Sequence, residues 1–189
     1  MNTTPTHDFQ QPVQAKWRHL RDQVCKHPFL KGLTHGQLAT LTDFAVETQF
    51  QPGQSIFNEG DSADRFYLIS DGEIVLETEG PNGPLVVQTL GADDVLGWSW
   101  MFPPYKWHFS ARAVEPTTAI FFYANSLRMQ CDGDPEFGYK LMNRIAKVVI
   151  ERLQTTRRTL VRAGEMWACS QRAPCHDQIN GKEVIAMER

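Results

Sequence analysis

Four cysteines in 189 residues, Cys25, Cys131, Cys169 and Cys175, are too few and too scattered for a disulfide scaffold, so reduced thiols are the expectation. No apolar run is long enough to cross a bilayer, and the opening MNTTPTHDFQQPVQ lacks the basic and apolar regions of a secretory signal. No membrane role is expected, and the compartment predicted is the cytoplasm. A formal net charge of −3 excludes a global electrostatic pull towards phosphate backbones. The basic groups Arg157, Arg158 and Arg162, and Lys16, Arg18, Arg21 and Lys26, read as solvated helix faces. Catalytic signatures are missing as well: there is no Gly-x-Ser-x-Gly, no His-Glu-x-x-His and no Walker loop. Glu59, Asp61 and Asp64 cluster near a turn, where a solvated loop explains them better than acid–base work. Cys169, Cys175-His176 and His35 lack the short chelating pairs of a structural zinc site. No catalytic residue, metal or cofactor is assigned.

The chain is nevertheless rich in one place. Leu96 to Ala113, LGWSWMFPPYKWHFSARA, holds three tryptophans, a tyrosine and two phenylalanines. Aromatic rings bury large areas and Trp and Tyr carry a polar handle, so this density reads as a pocket wall or a packed interface. A satellite cluster under a long loop is the alternative. Pro104 keeps Pro103 out of the helical region, so a turn of helix starting near Gly97 should end by Phe102. The candidate ligand-binding residues are Gly97, Trp98, Ser99, Trp100, Trp107, His108, Phe109, Ser110 and Arg112, with Tyr105 at the rim. Ring faces and indole N–H donors suit a small, planar, apolar or aromatic ligand.

The composition, 41% hydrophobic and 22% charged, is that of a globular protein able to bury one core. Residues 1–13 are polar and aperiodic and are expected to be disordered. From Gln14, Trp17, Leu20 and Val24 recur at helical steps, with Cys25 placed on the apolar side, and the helix must close before Pro28. Gly32 suits a positive φ, and Thr34 a helix N-cap. Between Val46 and Ala124 short apolar runs alternate with Pro-Gly, Glu-Gly-Asp, Asp-Gly and Pro-Asn-Gly turns, which predicts a closed or double-sheet β architecture. From Asp134 to Arg162 the period is helical again, with Asp134 as cap and Pro135 in the first turn. Its stripe through Leu141, Ile145, Val148 or Val149, Leu153 and Leu160 suits either a second copy of the chain or the protein's own sheet. Residues 163–189 read as an irregular tail.

Taken together, Phe29-Leu30-Lys31-Gly32-Leu33, Pro52-Gly53 with Ile56, Glu59-Gly60-Asp61, Asp64, Phe66-Tyr67-Leu68-Ile69, Asp71-Gly72 and Ile74-Val75 resemble the cyclic-nucleotide-binding domain, in particular the effector domain of the catabolite activator family. The resemblance covers about residues 27–160. It implies an eight-stranded jelly roll, mainly β with flanking helices, and a long C-terminal helix that commonly forms a dimer seam. It also implies a cassette in which a short helix after Gly97 cradles a cyclic phosphate, a Glu holds the ribose and an Arg pairs with the phosphate. This sequence departs from that pattern: Trp98 stands at the Glu position and Trp107 at the Arg position. The tail has neither the length nor the basic amphipathic helix of a DNA reader, which argues against direct DNA binding. The expectation is a stand-alone, non-enzymatic sensor or adaptor over residues 14–162, homodimeric through 134–162, signalling to another regulatory or target protein. A cyclic AMP-responsive regulator and a purely structural partner-binding module with a self-filled pocket are the alternatives.

Overall fold

The computed structural model describes residues 10–170; the beginning of the expected disordered segment and the end of the expected tail, with Cys175 and His176, lie outside them. Helix α1 (Gln10–Lys26) leads through a 3-10 turn (Pro28–Leu30) to α2 (His35–Asp43). Eight strands follow: β1 (Ala45–Phe50), β2 (Ser55–Phe57), β3 (Arg65–Asp71), β4 (Ile74–Gly80), β5 (Gly83–Leu90), β6 (Val95–Leu96), β7 (Ser110–Ala113) and β8 (Thr117–Tyr123). A 3-10 turn (Trp98–Met101) interrupts them, and α3 (Ala124–Gly133) and α4 (Pro135–Ser170) complete the described residues.

The strands form two antiparallel sheets, β1-β8-β3-β6 and β2-β7-β4-β5. This is the double-sheet β architecture that the turn-punctuated middle of the sequence predicted, and the eight-stranded jelly roll that the resemblance implied. Tyr67, Ile69, Phe121 and Ala119 of the first sheet meet Ile74, Leu76, Leu90 and Ala111 of the second in one cluster between the layers. Phe66, Leu68, Ile120 and Phe122 alternate to the other face of the first sheet and pack with Leu20, Val24, Leu41, Phe137, Leu141 and Ile145 of the helices. Ile74, Val75 and Leu76 of β4 are all buried, and the pairing with β5 shifts by one residue of β5 between Leu76 and Glu77.

Local chemistry fixes the helix starts. Thr34 and Gln37 exchange side-chain to backbone bonds in a capping box. Asp134 accepts from the Phe137 N–H at 3.0 Å and from the Gln37 side chain at 2.9 Å, tying the start of α4 to α2. Gly32 adopts φ 86° as required for its turn.

Several expectations need correction. Helix α1 starts at Gln10, inside the segment expected to be disordered. Among its described residues Leu20 and Val24 carry the buried stripe, leaving Trp17 48% exposed and Cys25 on the solvent side. Ile145 is 1% exposed and Val149 packs partly against the same core, so these two positions serve the protein's own fold. Helix α4 runs past Arg162 to Ser170. The chain divides into one compact unit ending at Glu151 and a second beginning at Arg152. In the first, Tyr139, Met142 and Ile150 are exposed; in the second, Leu153, Leu160 and Val161 are. Among the described residues no helix is long and apolar enough to cross a membrane, and no group of three or more His, Cys, Asp or Glu is placed to hold a metal.

Candidate functional site

Strand β6 delivers the chain to Gly97, where φ is 87°, a left-handed conformation that L side chains rarely adopt. The reason is local crowding as well as the turn. A Cβ at Gly97 would lie 2.9 Å from the Trp107 ring and 3.1 Å from the Arg65 carbonyl. The 3-10 turn that follows ends at Met101, with Phe102 extended, as Pro103-Pro104 demands.

Residues 105–107 return alongside residues 60–63. The Trp107 N–H donates to the Asp61 carbonyl at 2.9 Å, the Gly60 N–H donates to the Trp107 carbonyl at 2.9 Å, and the Ala63 N–H donates to the Tyr105 carbonyl at 2.8 Å. So clamped, the Trp107 indole stacks on Phe57 at 3.9 Å with an interplanar angle of 12° and is 4% exposed. Trp100 is 1% exposed against Phe66, and its Nε1–H finds no acceptor among the described residues. Its carbonyl accepts a 2.8 Å bond from Arg128 of α3, whose guanidinium also lies over the Tyr105 ring. Trp98 is half-buried, edge-on to Phe102 and His108.

The nine candidate residues therefore do not form one wall. Gly97, Ser99, Trp100 and Trp107 are packed together in the interior; Trp98 and His108 meet nearer the surface; Phe109 joins the cluster between the sheets. Ser110 and Arg112 alternate with buried Ala111 and Ala113 and face the outer side of the second sheet. There Arg112 forms a two-point ion pair with Glu77, which holds its guanidinium above the usual value, and Ser110 accepts from the Glu59 N–H at 3.0 Å. They line a separate groove with Ser55, Asn58, Glu79 and Pro84. Phe57, the Gly60–Asp61 backbone and Arg128 complete the site and were not anticipated, because each is brought in by pairing or packing over long sequence separation.

Residues 47–134 match the family model of the cyclic nucleotide-binding domain. The chain carries a domain of that family. Over 131 residues it is 27% identical to a CRP-like cAMP-activated global transcriptional regulator of Mycobacterium tuberculosis, covering 69% of this chain and 57% of that protein. The chain thus spans a little over half the length of this curated relative. A Geobacter metallireducens structure assigned as a cyclic nucleotide-binding protein superposes with a TM-score of 0.63 at 28% identity, covering 72% of this chain and 96% of that one. The regulatory subunit of a cAMP-independent protein kinase A from Trypanosoma brucei shares the fold, with a TM-score of 0.64 at 15% identity, over 79% of this chain and 53% of that one. Relatives of this domain are thus regulatory proteins. Trp98 and Trp107, expected from the sequence at the sugar- and phosphate-binding positions of the pattern, are half-buried and buried respectively. Neither indole offers a charge, and Arg112 is held by Glu77 on the outer side of the sheet.

Proposed function

We propose that this chain is a non-enzymatic regulatory adaptor in which the phosphate cassette of the cyclic nucleotide-binding domain has been turned into packing. The observation that carries this reading is the Trp107 ring lying against Gly97, where the family's pattern calls for an arginine and a phosphate. Removing one partner of a buried charge pair costs roughly 2 to 5 kcal/mol, which is about 30- to 5,000-fold in affinity. A structure of the same fold, 15% identical, is the regulatory subunit of a cAMP-independent protein kinase A. Calorimetric titration of the chain with cyclic AMP tests it: no saturable heat is expected, and micromolar or tighter binding would return the protein to the cyclic AMP-responsive class.

The burial of Trp100 and Trp107 favours a second reading, a self-filled module whose only task is to bind a partner. Quenching of Trp fluorescence by a planar ligand at Trp98 would set that reading aside. For assembly, Tyr139, Met142 and Ile150 recur at three- and eight-residue steps on α4 within the first compact unit and are exposed. An apolar stripe so placed supports a homodimer built along this helix.

A further inference from the structure

A second surface lies away from the cassette. Between the Pro28–Leu30 turn and α4 runs a groove of about 460 Å³ whose lining includes Lys31, Lys140, Arg144 and Lys147, over Pro28, Phe29 and Val148. Four cations face one carboxylate, Glu151, in a protein whose net charge is −3. Arg144 is half-buried and donates to the Lys140 carbonyl at 2.8 Å and the Lys31 carbonyl at 2.6 Å. It has no carboxylate partner among the described residues, and burial lowers its pKa from the usual arginine value. Lys140 forms its ion pair among the described residues with Glu136, whose side chain is 71% exposed, a contact weak enough to exchange. Lys31 and Lys147 are exposed.

We infer that this groove docks an acidic, extended segment of a partner protein. Lys140 and Lys147 are about 10 Å apart along α4 at 1.5 Å per residue. A single carboxylate or phosphate cannot span that distance, whereas acidic side chains two or three residues apart on an extended chain can, at about 3.3 Å per residue. An apolar side chain between them meets Phe29 and Val148. The surface is compatible with the proposed dimer: at about 100° per residue, Lys140, Arg144 and Lys147 lie roughly 140° around the helix from the stripe through Tyr139 and Met142. The inference deepens the adaptor reading by giving the partner's chemistry, and it needs no ligand in the cassette, so nucleotide titration and peptide titration fail separately.

The test is fluorescence anisotropy of a short fluorescein-labelled peptide alternating glutamate and leucine, with a lysine–leucine counterpart and inorganic pyrophosphate as further probes. The unaltered full chain is expected to bind the acidic peptide in a salt-sensitive manner and to ignore the basic one. Lys31→Glu with Lys147→Glu should weaken binding about tenfold or more. Lys16→Glu with Arg18→Glu, an equal charge change on α1, should leave it within about twofold. Circular dichroism of both double variants checks that the fold is kept. No binding by the unaltered chain, equal loss in both variants, unchanged binding in the groove variant, or binding of pyrophosphate without the peptide would each overturn the inference.

Discussion

The packing of Trp107 against Gly97 can be tested by a double-mutant cycle. Trp107 is 4% exposed, stacked on Phe57 and pinned by backbone bonds on both sides, so Trp107→Ala should cost about 3 to 5 kcal/mol through lost burial and the cavity left behind. Gly97→Ala places a methyl group 2.9 Å from the indole and forces a left-handed alanine at φ 87°. The conformational part is worth roughly 1 to 2 kcal/mol and the overpacking part another ~1 to 3 kcal/mol. In the Trp107→Ala background the ring is gone, and the overpacking part should fall away except for the contact with the Arg65 carbonyl at 3.1 Å. The four proteins, unfolded in urea and followed by circular dichroism, should therefore show a coupling of about 1 to 3 kcal/mol, the double variant being more stable than the sum of the singles. Additive losses, or a Trp107→Ala cost below about 1 kcal/mol, would mean that the indole does not fill the cradle and that the argument against phosphate binding fails.

Three further outcomes are expected. Met142→Glu with Ile150→Glu changes two exposed positions, 41% and 53% accessible, and should convert a dimer seen by sedimentation into a folded monomer; a monomeric unaltered chain at micromolar concentration would refute the seam. His27 is buried and its Nδ1 accepts the Phe29 N–H, so desolvation lowers its pKa from 6.5. A lowered histidine favours folding when neutral, so its contribution is present above pH 6.5 and is lost as pH falls from there towards the folded value; urea midpoints of His27→Gln should be flatter with pH across that window, and an unchanged slope would refute the assignment. Arg128→Ala removes a charged donor from the Trp100 carbonyl and a cation from the Tyr105 face and should cost about 1.5 to 3 kcal/mol in the same denaturation assay, with a loss under ~0.5 kcal/mol counting against the contact.

Much of the fold was legible because local chemistry and tertiary packing agree. Thr34 and Asp134 are small polar residues ahead of apolar periods, and each caps the helix it was expected to cap. Pro103-Pro104 ends the turn after Gly97 for a steric reason that needs no partner. Where two periods compete the sequence is less informative: Trp17 fits the helical spacing of α1 as well as Leu20 does, yet the face it occupies has no sheet beneath it. Strand β6 has two residues, too short for any period, and exists only because β3 offers a partner to Val95 and Leu96. The candidate site was legible as a segment and not as a geometry. Alternation along β7 turns Ser110 and Arg112 outward, and that depends on which face of β4 receives Ala111. The cationic groove was invisible for the same kind of reason, since Lys31 is 113 residues from Arg144, which holds its carbonyl.

The contacts also say how a change at the cassette could reach the rest of the domain. The 3-10 turn carrying Trp98 and Trp100 touches α3 through one polar anchor, the Arg128 bond to the Trp100 carbonyl, reinforced by the Tyr105 ring. Helix α3 ends at Gly133, and the next residue, Asp134, caps α4 while bonding to Gln37 of α2. A displaced turn would act on Arg128 directly and on the Asp134 junction through α3. Trp100 and Trp107 are 1% and 4% exposed, and closely packed interiors transmit shifts rather than absorb them. Either the turn stays put, as in a self-filled module, or it moves as a unit and carries the start of α4 with it. Only the second alternative makes the domain a sensor, and it places the regulated surface on α4 rather than at the cassette.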